Sequence, residues 1–259
     1  MNKRINKVLP KKWLGQHFLT DEYIAQEITS YLPSDSKNVL EIGPGMGVLS
    51  KYLFQKNYTF KLIEIDAEAM AYLTNKFRGK EEQFIQGDFL KIDIAYIFNE
   101  AFCIIGNFPY NISSQILFKV LENKHFVTHL VGMFQKEVAM RICAKEGSRT
   151  YGILSVLVQA YYTTEYLTTI PPHVFNPPPK VESAVIRLTR KDNYTLNCNE
   201  NDFFKLVKKA FNQRRKKLRN ALNEYTFDDT VDASIFQKRA EQLSVDDFIQ
   251  LTNGIKHKI

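Results

Sequence analysis

From residue 38 onward, short apolar runs alternate with amphipathic helical stretches, and this alternation restricts the chain to an α/β architecture built on a parallel sheet. Strands are expected at 38–42, 59–65, 83–86, 101–105 and 129–134. Helices are expected at 47–57, 67–78, 112–122 and 136–145. The pattern then changes: 155–162 and 183–189 read as β-rich with no long helix between them, which predicts an antiparallel hairpin added to the sheet. Pro171-Pro-His-Val-Phe-Asn-Pro-Pro-Pro179 lies between them, and because each proline removes a ladder donor the segment is expected to be a stiff loop. Beyond Lys191 no strand alternation is evident, and helical patterns at 201–212, 215–224, 233–243 and 245–253 suggest a small helical domain. Ser244 with Asp247 has the form of an N-cap with an acidic third residue.

The apolar run 101–105 delivers Asn107-Phe-Pro-Tyr110 to a strand's carboxyl end. An amide, a proline without N–H and an aromatic ring side by side make a clamp for a planar base bearing an exocyclic amine. Asn107 can accept one amine proton, a backbone carbonyl beside Pro109 another, and Tyr110 can stack on the base. Two acceptors that favour a pyramidal nitrogen raise the reactivity of an amine whose lone pair is delocalised into the ring. Alone, the tetrapeptide is better read as a turn with a half-buried Tyr and an Asn bonded to local backbone.

Three further features fall at successive strand ends, the edge at which open α/β sheets bind ligands. Glu41-Ile-Gly-Pro-Gly-Met-Gly47 occupies the place of a dinucleotide-fold glycine turn, with GxGxG spacing. An acidic, proline-containing turn suits a cofactor with an ammonium and no pyrophosphate. Glu64 is placed to hold ribose hydroxyls, with Asp66 as the fallback, and Asp88 can accept from an adenine amine beside Phe89.

Charge is informative through its placement. Residues 205–219 hold eight bases and no acid, and residues 1–12 hold five bases and no acid. These 13 of the 35 Lys and Arg leave 22 bases against all 28 acids, so the net +7 resides in two segments. Clustered cations are the footprint of phosphate-backbone contacts. Lys11, Lys12, Arg214, Arg215, Lys216, Lys217 and Arg219 are accordingly the expected RNA contacts; a solvated helix face is the bland alternative. No apolar run approaches the roughly 20 residues of a membrane span, and the amino terminus lacks the apolar core of a secretory signal, so a cytoplasmic location is expected. Cys103, Cys143 and Cys198 have neither disulfide-framework nor zinc spacing and are expected as reduced thiols, with no metal.

Taken in order, Gly15-Gln-His-Phe-Leu19, Glu41-Ile-Gly-Pro-Gly45, Glu64, Gly87-Asp-Phe89, Asn107-Phe-Pro-Tyr110, Phe175-Asn-Pro-Pro-Pro-Lys-Val-Glu-Ser183 and Phe211-Asn-Gln-Arg-Arg-Lys216 resemble the rRNA adenine N6-dimethyltransferases, most closely the bacterial small-subunit type. The resemblance spans nearly the whole chain. It implies a Rossmann-like S-adenosylmethionine-dependent methyltransferase sheet, mostly parallel with one antiparallel strand, and a small C-terminal all-helical domain. The catalytic domain with its basic N-terminal arm is expected at 1–191 and a helical RNA-binding domain at 192–259. The implied reaction is dimethylation of two adjacent adenosines near the 3′ end of small-subunit rRNA within a pre-30S particle, by a monomer without metal or membrane.

The resemblance maps the cofactor onto His17, Leu19, Gly43, Glu64, Asp88 and Asn107, and the strand-end reading adds Glu41, Gly45 and Phe89. It matches Tyr110 and Phe175 to the aromatic positions that hold the target base, and with the clamp residues Asn107 and Pro109 these make the expected catalytic set. His17 stands where Asn is commoner in the family, and Phe108, where Leu is common, is expected to enlarge the wall of the base pocket without touching the acceptors. Competing readings are a large-subunit rRNA methyltransferase of the macrolide-resistance type, disfavoured by Phe211-Asn-Gln-Arg-Arg-Lys216 and the helical tail, and a mainly non-catalytic RNA-binding assembly factor. A small-molecule methyltransferase is disfavoured by the basic segments.

Overall fold

The computed structural model describes residues 8–256. Lys3, Arg4 and Lys7 of the basic N-terminal arm lie outside them. Among the described residues nine strands form: β1 (Phe18–Leu19), β2 (Asn38–Ile42), β3 (Thr59–Glu64), β4 (Phe84–Gln86), β5 (Phe102–Asn107), β6 (Val127–Gln135), β7 (Tyr162–Ile170), β8 (Phe175–Asn176) and β9 (Ser183–Arg190). Seven of them make one sheet in the order β4-β3-β2-β5-β6-β9-β7. The steps from β4 to β6 are parallel, and β9 runs antiparallel to β6, with Gln135 opposite Ser183. All five residues of β2 are buried, as a parallel strand covered on both faces requires.

The helices are α1 (Glu22–Ser30), α2 (Ser50–Leu53), α3 (Ala67–Lys76), α4 (Ser113–Glu122), α5 (Lys136–Ile142), α6 (Ile153–Tyr161), α7 (Glu200–Asn212), α8 (Leu218–Ala221) and α9 (Val245–Asn253). Their starts are chemically marked. Asp21 accepts from Ile24 N–H at 3.0 Å and Asp66 from Glu68 N–H at 3.0 Å, each satisfying a donor that the first turn leaves over. Ser244 and Asp247 form the reciprocal capping pair, with bonds of 3.0 and 2.9 Å.

The chain divides into two compact units, residues 1–139 with 165–190, and residues 140–164 with 191–259. The second unit includes α6, where the sequence pattern suggested a strand at 155–162. Ile153-Leu-Ser-Val-Leu-Val-Gln-Ala-Tyr161 is buried almost all round and strongly apolar, so it reads as a strand although its two polar residues, Ser155 and Gln159, fall four apart as on a helix. Ser155 Oγ accepts from Gly152 N–H at 2.9 Å and starts the helix. The expected hairpin is therefore replaced by β7 beside β9, with β9 itself paired to β6.

In the same unit α7 buries Phe203, Leu206, Val207, Ala210 and Phe211, spaced i, i+3, i+4, i+7 and i+8, against its helical neighbours. Two other helical expectations shrink: 215–224 yields only α8, and 233–243 yields two 3-10 turns, Ala233–Gln237 and Ala240–Gln242, separated by extended Arg239. The helix expected over 47–57 is likewise reduced to α2. The proline-rich segment is not wholly irregular, since Pro172–Val174 forms a 3-10 turn and β8 pairs antiparallel with β1. None of the three cysteines forms a disulfide. Among the described residues no helix is long and apolar enough to cross a membrane, and no three His, Cys, Asp or Glu side chains are grouped to hold a metal ion.

Candidate active site

Four adjacent strands, β4, β3, β2 and β5, end at one cavity of about 160 Å³, and each contributes through the residue at or just beyond its carboxyl end. β2 leads into Gly43 and Gly45, β3 ends at Glu64, β4 leads into Gly87, Asp88 and Phe89, and β5 ends at Asn107 itself. The glycine turn needs its glycines because Gly43, Gly45 and Gly47 all have φ between 55 and 70°. At Gly45 a Cβ would lie 2.7 Å from the Phe18 ring, whereas at Gly43 it would meet nothing within 4 Å, so Gly43 faces open space.

Glu64 is 3% exposed and accepts from Gly45 N–H at 3.0 Å with one oxygen and from Asp66 N–H at 2.9 Å with the other. Burial pushes its pKa up, and these main-chain donors oppose that. A carboxylate has about four acceptor sites, so acceptor capacity remains for a ligand after these main-chain bonds. Asp88 uses one oxygen to cap the turn through Leu90 N–H at 2.9 Å. Phe89 is buried beside it on the cavity wall. None of the lining residues is Lys or Arg, and two are carboxylates; such a wall rejects a phosphate and favours a cationic ligand.

Asn107 is held by its amino end: Nδ2 donates to the His17 carbonyl at 2.8 Å, which leaves Oδ1 as the accepting end of the amide. Pro109 has no N–H, and its carbonyl accepts from Ile112 N–H at 3.1 Å. The Tyr110 hydroxyl bonds to Ser183 Oγ, the first residue of β9, and burial pushes its pKa up, so it stays a neutral phenol. Ser183 is buried, and its role in fixing Tyr110 was not apparent from the sequence. Phe108 is 1% exposed and packs edge-on against Phe134, with ring centroids 5.3 Å apart; it borders the strand-end cavity with its ring held in the core.

A second cavity, about 460 Å³, shares Gly15, Gln16, His17 and Tyr110 with the first and is otherwise walled by Pro10, Lys12, Gln135 and residues 177–181. The His17 and Tyr110 rings stack between the two, with centroids 5.5 Å apart and planes at 27°. His17 Nδ1 is 2.7 Å from the Pro177 carbonyl, so the imidazole belongs to the wall that the two cavities share.

Five sequence assignments are placed differently by the structure. Phe175 is 4% exposed and packs in the apolar core with Leu19 and Val174, so it offers no face to a base; the ring facing Tyr110 is His17. Leu19, paired with Phe175 across β1 and β8, is also core and does not line the strand-end cavity. Glu41 faces away from that cavity as well. It is 1% exposed, accepts from Ser50 Oγ at 2.6 Å, and burial pushes its pKa up to about 8. Both Leu19 and Glu41 border a much smaller void behind Gly43 and Asn107.

Lys11 is not open to phosphates, because its ammonium bonds to Asp66 at 2.5 Å and Glu68 at 3.0 Å. Burial acts to raise the Asp66 pKa, but Lys11, Gln16 and the Glu68 N–H outweigh it and hold the carboxyl below its ordinary range. Gln16, missed in the sequence, completes this network by accepting from Lys11 N–H at 2.7 Å and donating to Asp66 at 3.1 Å. Arg214 is likewise committed: its Nε donates to Glu241 at 2.5 Å and Nη2 to the Arg149 carbonyl. Lys12, Arg215, Lys216, Lys217 and Arg219 remain exposed, with Lys217 reaching Gln237 at 3.0 Å.

Comparison with known proteins agrees with this geometry. A curated relative from Cytophaga hutchinsonii, named Ribosomal RNA small subunit methyltransferase A, is 54% identical over 98% of this chain and 100% of its own length. A protein of the same name from Flavobacterium johnsoniae is 54% identical over 97% and 98%. Among solved structures, a dimethyladenosine transferase from Plasmodium falciparum superimposes with a TM-score of 0.76 at 25% identity, covering 91% of this chain and 96% of that one. The 23S rRNA methyltransferase ErmE shares the fold, with a TM-score of 0.72 at 23% identity over 91% and 98%. The family model described as Ribosomal RNA adenine dimethylase matches residues 9–257, and with the strand-end cavity and the Asn107–Tyr110 turn in place, the chain belongs to the ribosomal RNA adenine dimethylase family.

Proposed function

We propose that this protein transfers methyl groups from S-adenosylmethionine to N6 of two adjacent adenosines near the 3′ end of small-subunit rRNA, acting on a pre-30S particle. The observation that carries this reading is the pinned amide of Asn107 at the rim of an acidic, cation-free cavity. The cavity fits the cofactor's chemistry: a sulfonium ligand with an ammonium, a ribose diol and an adenine meets Gly43 and Gly45 main chain, the spare acceptors of Glu64, and Asp88 beside Phe89. When bound, S-adenosylmethionine supplies an already activated methyl group.

The chain's own task is then to present the amine. His17 carbonyl fixes the Asn107 amide so that Oδ1 accepts one N6 proton, and the Phe108 carbonyl, just before the proline ring, accepts the other. Fixed acceptors cost no reorganisation as positive charge develops on nitrogen. The target base must leave its stack to reach them, and the second cavity, walled by Tyr110, His17 and Pro177–Pro179, is where we place it. Tyr110, neutral and tied to Ser183, offers a fixed ring face and no general base, so the N6 proton leaves to water after methyl transfer. Lys12 and the exposed cations Arg215, Lys216, Lys217 and Arg219 hold phosphates, and the helical unit is read as the RNA-binding part.

The test is incubation with methyl-labelled S-adenosylmethionine and ribosomal subunits from cells lacking the enzyme, followed by mapping of the modified bases. Label on two adjacent small-subunit adenosines is expected. Label on large-subunit RNA, or none on either, overturns the reading.

A further inference from the structure

One three-residue turn stands at both cavities. Lys12–Leu14 is a 3-10 helix whose first residue lines the second cavity, whose last lines the first, and whose middle residue, Trp13, is 74% exposed. The turn is fixed from both sides. Before it, Lys11 is tied through its side chain to Asp66 and Glu68 and through its N–H to Gln16. After it, Gly15 sits with φ 67° so close to the Asn107–Tyr110 segment that a Cβ there would lie 2.7 Å from Asn111 Oδ1. A tryptophan is the largest apolar side chain, and leaving one open to water on a pinned turn forgoes its burial free energy without a structural return. Lys12, next to it in sequence, lines the second cavity together with Lys180, so two cations stand at the cavity this turn borders.

We infer that Trp13 is an RNA-positioning residue, an exposed platform on which a nucleobase neighbouring the target adenosine stacks while Lys12 meets the adjoining phosphate. The inference rests on the proposed function, because it takes the second cavity as the seat of the target base. An indole accepts any base on its face, so the platform supplies register along the strand, and sequence discrimination is left to the clamp. A flipped adenosine leaves a flanking base without one stacking partner. A fixed aromatic face beside the cavity replaces that partner.

Trp13 is the chain's single tryptophan, so its emission reports this site alone. Titration of the full-length protein with unmethylated small-subunit rRNA, which contributes no tryptophan signal, should quench that emission in step with binding measured on filters. In steady-state methyl transfer to unmethylated small subunits, Trp13→Ala should raise KM roughly tenfold, the lower range of a lost base–aromatic stack, and leave kcat near wild type. Trp13→Phe should recover most of the KM. Unchanged emission at saturating RNA, or a wild-type KM in Trp13→Ala, overturns the inference. Should the wild-type protein methylate no small subunit, the functional reading falls, while the fluorescence titration still decides whether RNA covers Trp13.

Discussion

The strand-end cavity and the basic turn at 213–219 handle charge in opposite ways. In the cavity charge is drawn inward and fixed by main-chain groups: Glu64 takes Gly45 and Asp66 N–H, Asp88 takes Leu90 N–H, and Asn107 is fastened by the His17 carbonyl. In the basic turn one cation, Arg214, is drawn inward to Glu241 and the Arg149 carbonyl, and its neighbours Arg215, Lys216, Lys217 and Arg219 are left in solvent. The difference follows from what each must recognise. A reacting amine needs acceptors already in position, since reorganisation during the reaction adds to the barrier. A phosphate backbone needs only positive charge within reach, and long solvated side chains follow it.

If this division holds, the two regions can be disabled separately. Asn107→Ala should lower the methyl-transfer rate by ~10²–10³, the cost of losing one preorganised charge-stabilising group, with RNA affinity within a factor of about two of wild type. Equal losses in rate and affinity, measured by single-turnover transfer and filter binding, would break the contrast. Replacing Arg215, Lys216, Lys217 and Arg219 together by Ala should do the reverse. The slope of log affinity against log salt should fall by about 3, as expected when four phosphate contacts are lost. Calorimetric affinity for S-adenosylmethionine should not change, and an unaltered salt slope would place the RNA surface elsewhere.

Glu41, outside the strand-end cavity, adds a pH dependence of stability to the same sheet edge. Burial pushes Glu41 up to about 8, far above its ordinary value. Between about pH 4.5 and 8 the unfolded chain therefore binds fewer protons at this position than the folded one, and stability declines as pH rises through that window. Glu41→Gln keeps an acceptor for Ser50 and removes the ionisation. Urea unfolding of the wild type should lose up to about 1 kcal/mol per pH unit from pH 6 to 8 at this site, and the variant should lose visibly less. Parallel curves for the two proteins would show that Glu41 stays charged in the folded state.

Much of the first region was legible in the sequence because parallel strands announce themselves as apolar runs and their ends fall at glycines and acids. The sequence pattern puts Gly43, Glu64, Asp88 and Asn107 at one edge, and the structure brings all four to one cavity. What sequence could not give was which way a side chain faces after a non-local pairing. The resemblance makes Phe175 a stacking ring, but pairing of β8 with β1 turns it into the core. His17 acquires the place opposite Tyr110 through the same pairing. α6 escaped notice for a different reason: a short, strongly apolar run is ambiguous between strand and helix, and only Ser155 and Gln159, four residues apart, together with the start at Gly152, marked it as helical. Charge counting failed at Lys11 and Arg214, whose acidic partners lie 55 and 27 residues away along the chain.

Arg214 and Arg215 provide the finest cut through the comparison, being adjacent in sequence and identical in chemistry. Arg214 donates to a carboxylate and to the Arg149 main chain within the helical unit, so Arg214→Ala strands the half-buried Glu241 and a carbonyl that has lost its donor. A lost charge-assisted bond of this kind at a partly exposed site costs about 1 kcal/mol. Arg215→Ala removes an exposed side chain and should leave stability within ~0.5 kcal/mol of wild type. The order should invert in RNA binding. Arg215→Ala should make the salt slope shallower by about 0.8, one phosphate contact, whereas Arg214→Ala should not alter it. Thermal melts and salt titrations of the two variants would decide. Equal shallowing in both would mean that Arg214 leaves Glu241 to meet the RNA, and that the inward cation is a reserve of binding charge and not a brace.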